Sequence, residues 1–127
     1  MLLQAALLDG DRASTASRAW CARIDLDLLD AGSLRLLPLL YRAMTARGES
    51  WTHLGRLRGV YRQTWYRNNL LIGRLARLID ALERAGIPTL VLKGVPLALC
   101  YYRDTALRPM GDADLLNPRV ACTLRTG

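Results

Sequence analysis

The sequence predicts an α+β fold, in which a mostly helical region, residues 1–86, precedes the first strand-helix-strand part of an α/β core, residues 87–127. Three observations predict this class. The apolar share of 51% comes mostly from Leu and Ala, without any Phe, which is typical of helices. Apolar residues recur at three- and four-residue steps up to Gly86, and short strand-like runs follow it. The length of 127 residues suffices for one compact domain, or for one domain and part of another.

The helical region begins with short elements. We expect one helix near residues 2–8 and another near residues 14–29. Ser33 is the predicted cap of a third helix. Pro38 falls inside the apolar pattern of that third helix, so the helix is either kinked there or begins at Pro38.

The longest predicted helix covers residues 51–85, with Ser50 as its cap and Gly86, followed by Ile-Pro, as its stop. Seven arginines and two acids give residues 51–86 most of the net charge of +7. These arginines form either the solvated face of the helix or a surface for nucleic-acid phosphates. The apolar stripe that predicts the buried face comprises Leu54, Leu57, Tyr61, Trp65, Ile72, Leu75, Ile79 and Leu82.

The chain after Gly86 has a different pattern. Residues 89–92 are apolar and partly β-branched, which predicts a short buried strand. Lys93-Gly94 ends this strand, and a short helix is expected over residues 96–103. After a loop, residues 112–116 partly alternate between polar and apolar side chains, which predicts a second strand.

Several classes of protein are excluded by the sequence. It holds no run of about 18 uninterrupted apolar residues, so a transmembrane helix is not predicted. The apolar start lacks a preceding basic flank, which argues against a secretory signal. Cys21, Cys100 and Cys122 are widely spaced, and with His53 they do not form a zinc-binding pattern. We therefore expect a reduced, cytoplasmic protein that does not associate with membranes.

Asp112 and Asp114 are the most informative pair of side chains. On a strand, residues two apart point to the same face, with Cα atoms about 6.6 Å apart. Two carboxylates so placed suit a divalent cation such as Mg²⁺, which prefers oxygen ligands. An isolated acidic pair is more often part of a solvated loop. The Lys93-Gly94 turn upstream favours a functional site instead. A glycine there lets backbone N–H groups approach a phosphate, and a helix start favours an anion.

These residues lie in a longer motif. The run VLKGVPLALCYYRDTALRPMGDADLL resembles the signature of the uncharacterised nucleotidyltransferase family of bacteria, within the DNA polymerase β-like nucleotidyltransferase superfamily. The segments LRLLPLLYRAM and YRQTWYRNNLL are also similar, so the resemblance covers residues 15–118. The strand-glycine-helix-DxD order is similar to that of CCA-adding enzymes, in which a Gly-Gly turn takes the place of Lys93-Gly94.

The resemblance implies transfer of a nucleoside monophosphate from an NTP, such as ATP, to an acceptor with the help of Mg²⁺. It implies that Asp112 and Asp114 are catalytic residues that bind the metal, and that Lys93, Gly94 and Arg108 contact the nucleotide. Arg108 is also placed to pair with a neighbouring aspartate instead. The resemblance does not indicate whether the acceptor is a small molecule, a protein or a nucleic acid.

The sequence departs from the superfamily pattern after Asp114. The superfamily supplies a third catalytic carboxylate from a later strand, but the remaining residues, LLNPRVACTLRTG, include no Asp or Glu. We therefore expect a truncated core, cut near residue 117, whose activity depends on a completing partner chain or whose open sheet edge causes self-association. The alternative function is that of a non-catalytic helical module, which binds nucleic acid or a protein partner through the Arg-rich helix.

Overall fold

A computed structural model of the chain describes residues 1–117 and 121–125. The chain forms two compact units, Met1–Gln63 and Thr64–Gly127. The unit boundary lies within the longest helix, whereas the change from helices to strands occurs after Gly86, as the sequence predicts. Within the described part of the chain, no helix combines the length and the apolar character needed to cross a membrane.

The elements confirm the predicted α+β class. In chain order they are α1 (Leu2–Leu7), α2 (Gly10–Cys21), a 3₁₀ turn (Leu26–Leu28), α3 (Ala31–Ala46), α4 (Leu54–Arg84), β1 (Leu90–Leu92), α5 (Gly94–Pro96), a π-helical segment (Leu97–Tyr102), β2 (Asp112–Leu116) and β3 (Ala121–Arg125).

The first unit has an apolar core made by α1, α2, α3 and the beginning of α4. Trp20 lies in this core and packs edge-on against Trp51, with ring centroids 5.8 Å apart. Such an aromatic pair adds an oriented contact to the area that it buries. The other fully buried side chains that form the centre of this core are Ala5, Leu37, Leu40, Met44 and Leu57.

Arg47 links three elements of the first unit. Its Nη2 donates to the carbonyl oxygen of Ala5 at 3.0 Å and to Ser17 Oγ at 2.8 Å. Its Nε pairs with Glu49 Oε1 at 2.7 Å, and both side chains are mostly buried. These three bonds satisfy donors on two of the guanidinium nitrogens and so reduce the cost of burying it.

Two predicted helix boundaries in the first unit are wrong. The helix expected near residues 14–29 begins at Gly10 and ends at Cys21, and the 3₁₀ turn follows it as a separate element. The third helix begins at Ala31, so Ser33 is inside it rather than at its cap. The cap is Asp30, whose carboxylate accepts from the backbone N of Ser33 at 3.1 Å and from its hydroxyl at 2.6 Å. The first of these bonds satisfies a backbone donor that the first helical turn leaves without a partner, and the second adds a side-chain contact.

Pro38 lies within α3, so the alternative in which the helix begins at Pro38 is wrong. A proline has no N–H to donate to the carbonyl four residues earlier, which leaves one helical bond unmade. Its ring is buried in the first unit, where its packing offsets that lost bond.

The start of α4 differs from the prediction, while its end agrees. The helix begins at Leu54, so Ser50 is not its cap. At the other end, Gly86 has a φ of 71°, and the backbone N of Ile87 donates to the carbonyl of Leu82 at 2.9 Å. Together with the bond from Gly86 N to Glu83 O, this is the Schellman arrangement that a glycine favours after a helix.

The buried face of α4 also differs from the predicted stripe. Trp65, which the stripe includes, is 51% exposed, whereas Thr64 and Asn68 are buried. Together with Leu71 and Leu75, these two polar residues follow the helical spacing of the true buried face. The apolar pattern therefore located the helix but misjudged which face of its middle packs inwards.

The second unit contains a three-stranded antiparallel sheet in the order β1-β2-β3. In its register Leu92 lies opposite Asp114, and Asp112 lies opposite Arg125. The two predicted strands are observed, and β2 has the predicted bounds. Strand β3 was not predicted. The core of this unit consists of Leu71, Leu75, Val95, Ala113 and Leu115.

Candidate functional site

Strand β2 places Asp112 and Asp114 on the same face of the sheet. Ala113 and Leu115 are buried in the core of the second unit. Because side chains alternate along a strand, Asp112 and Asp114 face the other way. Asp112 is exposed, and the side chain of Asp114 is 17% exposed. The sequence predicted this arrangement, and it leaves two carboxylates on the face of the sheet away from α4.

Lys93 follows β1 directly and reaches this pair. Because Leu92 lies opposite Asp114 in the register, the next residue is close to the same carboxylate. Its Nζ lies 2.8 Å from Asp114 Oδ2. The Lys93 side chain is 74% exposed, so the ion pair has one open and one sheltered partner.

The two aspartates favour the charged form of Lys93. The hydrogen bond from its ammonium to Asp114 is the main cause that raises the pKa of Lys93, followed by the charge of Asp114. The charge of Asp112 acts in the same direction and more weakly. The ammonium bonded to Asp114 therefore partly offsets the negative charge of the pair.

The backbone of Lys93 is strained. Its φ of 63° and ψ of −119° belong to a region that glycine adopts freely and other residues rarely do. The sequence predicted a turn here, and the structure shows that the lysine rather than Gly94 has the positive φ. Conformations of this kind persist only where the surrounding structure holds them.

Gly94 leaves space for the ends of two flexible side chains, and its own φ is not positive. A Cβ atom at this position would lie 2.9 Å from Arg108 Nη1 and 2.9 Å from Met110 Sδ. Both distances are shorter than Cβ contacts normally reach, so the absence of a side chain lets these two residues approach. The structure thus brings together Lys93, Gly94, Arg108 and the aspartate pair, all of which the sequence singled out.

Asn68 holds the loop that carries Arg108, and sequence reasoning missed it. This side chain on α4 is 1% exposed. Its Nδ2 donates to the carbonyl oxygens of Thr105 at 2.5 Å and Arg108 at 2.8 Å, and its Oδ1 accepts from the backbone N of Met110 at 3.1 Å. A polar residue at the core spacing of a helix was the available signal, because a buried amide normally has backbone partners.

Two further contacts order the same loop. Asn69 Nδ2 donates to Thr105 Oγ1 at 2.9 Å, and Asp104 Oδ1 accepts from the backbone N of Ala106 at 2.8 Å. Asn69 thus adds a contact from α4 to the Thr105 side chain, and the Asp104 bond orders the turn within the loop.

Arg125 is a second residue that the sequence analysis did not single out. It lies opposite Asp112 in the β2–β3 register, and directly opposed residues of an antiparallel pair share a face. It was missed because no third strand was predicted. With Lys93, it places a second cationic residue on the face of the sheet that carries the aspartate pair.

The helix after the Lys93-Gly94 turn differs from the one expected over residues 96–103. It has only three α-helical residues, Gly94–Pro96, before the π-helical segment. The helical run therefore starts earlier than expected and is π-helical over most of its length.

The two carboxylates of Asp112 and Asp114 suit Mg²⁺ better than they suit a metal ion that is held by protein ligands alone. In the described ranges 1–117 and 121–125, no three His, Cys, Asp or Glu side chains are close enough to hold a metal together. Two carboxylates on an open sheet face suit an ion that keeps waters and substrate phosphates as its other ligands. Cys21 is half-buried and Cys100 is exposed, while the side chain of Cys122 lies outside the described residues.

Comparison with known proteins places these residues in a family. The family described as uncharacterised nucleotidyltransferase matches residues 30–123, which include most of the helical region and every candidate site residue except Arg125. No curated protein and no solved structure matches the chain significantly.

Proposed function

Because the chain belongs to the uncharacterised nucleotidyltransferase family, we propose that its second unit binds a metal–NTP complex as the donor of a nucleoside monophosphate. The observation that carries this proposal is that Lys93, in the turn after β1, has its Nζ 2.8 Å from Asp114 Oδ2. It joins a cation suited to phosphate with carboxylates suited to a metal in one small area.

Each residue has a distinct part in this proposal. Asp112 and Asp114 hold Mg²⁺, which when bound neutralises the triphosphate and stabilises the charge that develops on it. Lys93 and Arg108 bind phosphate oxygens, and the planar guanidinium of Arg108 suits two of them at once. Gly94 leaves the space in which the Arg108 side chain crosses the turn.

The proposed transfer joins an acceptor oxygen to the α-phosphorus of the NTP. The bond from that phosphorus to the oxygen bridging towards the β-phosphate breaks, and pyrophosphate leaves with the bonding electrons. The acceptor hydroxyl loses its proton to a base. We propose that a carboxylate within hydrogen-bond reach of the acceptor hydroxyl accepts this proton as a general base.

A second candidate function rests on α4. Trp65 is 51% exposed and Tyr66 is 60% exposed, and Arg67 follows them on the same helix. Exposed aromatic rings interleaved with arginines suit nucleic acid, through base stacking and phosphate contacts. Such binding would weaken steeply with salt and would not change in the Asp112→Asn/Asp114→Asn variant.

Thermal unfolding of the 127-residue chain tests the proposed function. The chain would be unfolded alone, with Mg²⁺, and with each NTP in the presence and absence of Mg²⁺. We expect an NTP to raise the melting temperature only when Mg²⁺ is present, since a ligand stabilises the state that it binds. The Asp112→Asn/Asp114→Asn variant should fold but lose this increase. An equal increase in the variant would contradict the proposal.

A further inference from the structure

We propose that Lys93 is an internal counter-ion that occupies the metal position of the nucleotide-free site, and that the bound triphosphate takes over its ammonium when the metal enters. This inference rests on the proposed function and adds a regulatory step to it. It predicts that metal alone binds weakly and that the metal enters effectively together with the nucleotide.

The first argument is that the ammonium and the metal need the same oxygen. Nζ of Lys93 lies 2.8 Å from Asp114 Oδ2, on the side of β2 where Asp112 also projects. Mg²⁺ binds carboxylate oxygens at about 2.0–2.1 Å, so an ion on the lone pair of Oδ2 that faces Nζ would overlap the ammonium. Strong repulsion between two cations adds to this steric conflict.

The second argument comes from the backbone. The φ and ψ of Lys93, 63° and −119°, favour glycine, so this position is strained for any residue with a side chain. The other described residue with a positive φ that is not glycine, Arg103, has a φ of 54° and a ψ of 21°, which is the ordinary left-handed region. A strained turn that carries a lysine is explained if the ammonium itself is needed beside Asp114.

The third argument is that Lys93 is able to leave. Its side chain is 74% exposed, whereas that of Asp114 is 17% exposed. Rotation of the lysine chain therefore disturbs no core packing, while the carboxylate stays in place. Arg108 crosses the turn at Gly94, next to Lys93, so a triphosphate bound by Arg108 would lie within reach of the released ammonium.

Removing the charge of Lys93 should therefore have opposite effects on two affinities, that for metal alone and that for the metal–nucleotide complex. Without its ammonium, the cation 2.8 Å from Asp114 Oδ2 is removed, and metal alone binds more tightly. The triphosphate then lacks one of its cationic partners, so the metal–nucleotide complex binds more weakly. A lysine that merely supported the fold would change both affinities in the same direction.

The test compares the wild-type chain with Lys93→Met in two titrations. Mn²⁺ alone is titrated and the free ion is followed by electron paramagnetic resonance, and Mg-ATP is titrated by calorimetry. We expect the variant to bind Mn²⁺ about fivefold more tightly, the scale of a partly exposed ion pair. It should bind Mg-ATP at least about fivefold more weakly. Arg103→Met, which also removes an exposed cation at a positive φ, should change neither affinity by as much as twofold.

Equal or weaker Mn²⁺ binding by Lys93→Met would overturn the inference, and so would an absence of Mn²⁺ binding in both proteins. The failure of the proposed function would look different. In that case Mg-ATP binding would be unaffected by Asp112→Asn/Asp114→Asn, whatever Lys93→Met does to Mn²⁺.

Discussion

The two units use buried polar groups for different purposes. In the first unit, Arg47 and Glu49 form a sheltered ion pair whose remaining bonds join α1 and α2 to the end of α3. In the second, buried Asn68 binds the backbone of the loop that carries Arg108. Both described non-glycine residues with a positive φ also lie in the second unit. The polar network stabilises helix packing in one unit and positions exposed charges in the other.

The largest expected effect is on the core of the first unit. Leu40 is fully buried, so Leu40→Ala should lower the free energy of unfolding by about 3 kcal/mol, from lost burial and the cavity that remains. Urea unfolding measures this loss. Leu34→Ala, at an exposed position of the same helix, should cost far less.

The same variant tests whether the site belongs to the second unit alone. Below the unfolding transition, Leu40→Ala should bind Mg-ATP as the wild type does, because every proposed site residue lies beyond Gln63. A large loss of affinity in the folded variant would show that the division of roles is wrong.

The next effect concerns the loop anchor. Asn68→Ala removes two donors and an acceptor from buried backbone groups, so we expect a loss of about 2 kcal/mol in unfolding free energy. It should also weaken Mg-ATP binding, since the carbonyl of Arg108 loses its partner. Calorimetric titration and urea unfolding measure the two effects.

Asn69→Ala is the matched control for Asn68→Ala. It makes the same change on the same helix, but Asn69 is only partly buried and bonds the Thr105 side chain rather than the backbone near Arg108. Equal effects of the two substitutions on Mg-ATP binding would contradict a positioning role for Asn68.

A smaller effect is expected at the caps of the first unit. Asp30→Ala removes the bonds that the carboxylate accepts from Ser33 and should lower the melting temperature. Asp9→Ala, at the cap of α2, should lower it less, because the Asp9 carboxylate makes no cap hydrogen bond to the described backbone of that helix. Equal decreases would contradict the assigned cap.

The Asp30 cap should also depend on pH. The hydrogen bonds from Ser33, first from its side chain and then from its backbone, hold the pKa of Asp30 below its ordinary value. A depressed pKa in the folded state means that the stabilisation is present above the unfolded pKa and is lost as the pH falls through the folded pKa. The difference in melting temperature between wild type and Asp30→Ala should therefore shrink in acid.

The last prediction concerns the chemical reactivity of Cys21 and not the stability of the fold. Burial, and then the charge of Glu49, raise the pKa of this thiol to about 11. Because the thiolate is the reactive form, Cys21 should be alkylated at pH 8 about 100-fold more slowly than a thiol with a pKa of 9. The rate, measured in a Cys100→Ser/Cys122→Ser background, should rise with pH to a midpoint near 11. A midpoint near 9 would contradict the buried environment.

Local patterns were enough to predict some elements. The Gly86 stop follows from chain geometry that glycine alone adopts easily, and the Asp112 and Asp114 placement follows from the two-residue period of a strand. Both depend on neighbouring residues only, and both are observed.

Other features depend on residues far apart in the sequence. Asn68 is buried where the loop of residues 105–110 offers it backbone partners, and Trp65, on another face of α4, is 51% exposed. The ion pair of Lys93 with Asp114 depends on the β1–β2 register, which no local pattern specifies. Tertiary pairing thus decided the parts of the site that the sequence could not predict.

The most direct test of the proposed site is calorimetric titration of Mg-ATP into three forms of the chain. They are the wild type, Asp112→Asn/Asp114→Asn, and Asp80→Asn/Glu83→Gln, which removes two negative charges from α4 instead. We predict saturable binding by the wild type and by the α4 variant, and loss of binding in the site variant. Retained binding in the site variant, or equal loss in both variants, would contradict a metal–nucleotide site at Asp112 and Asp114.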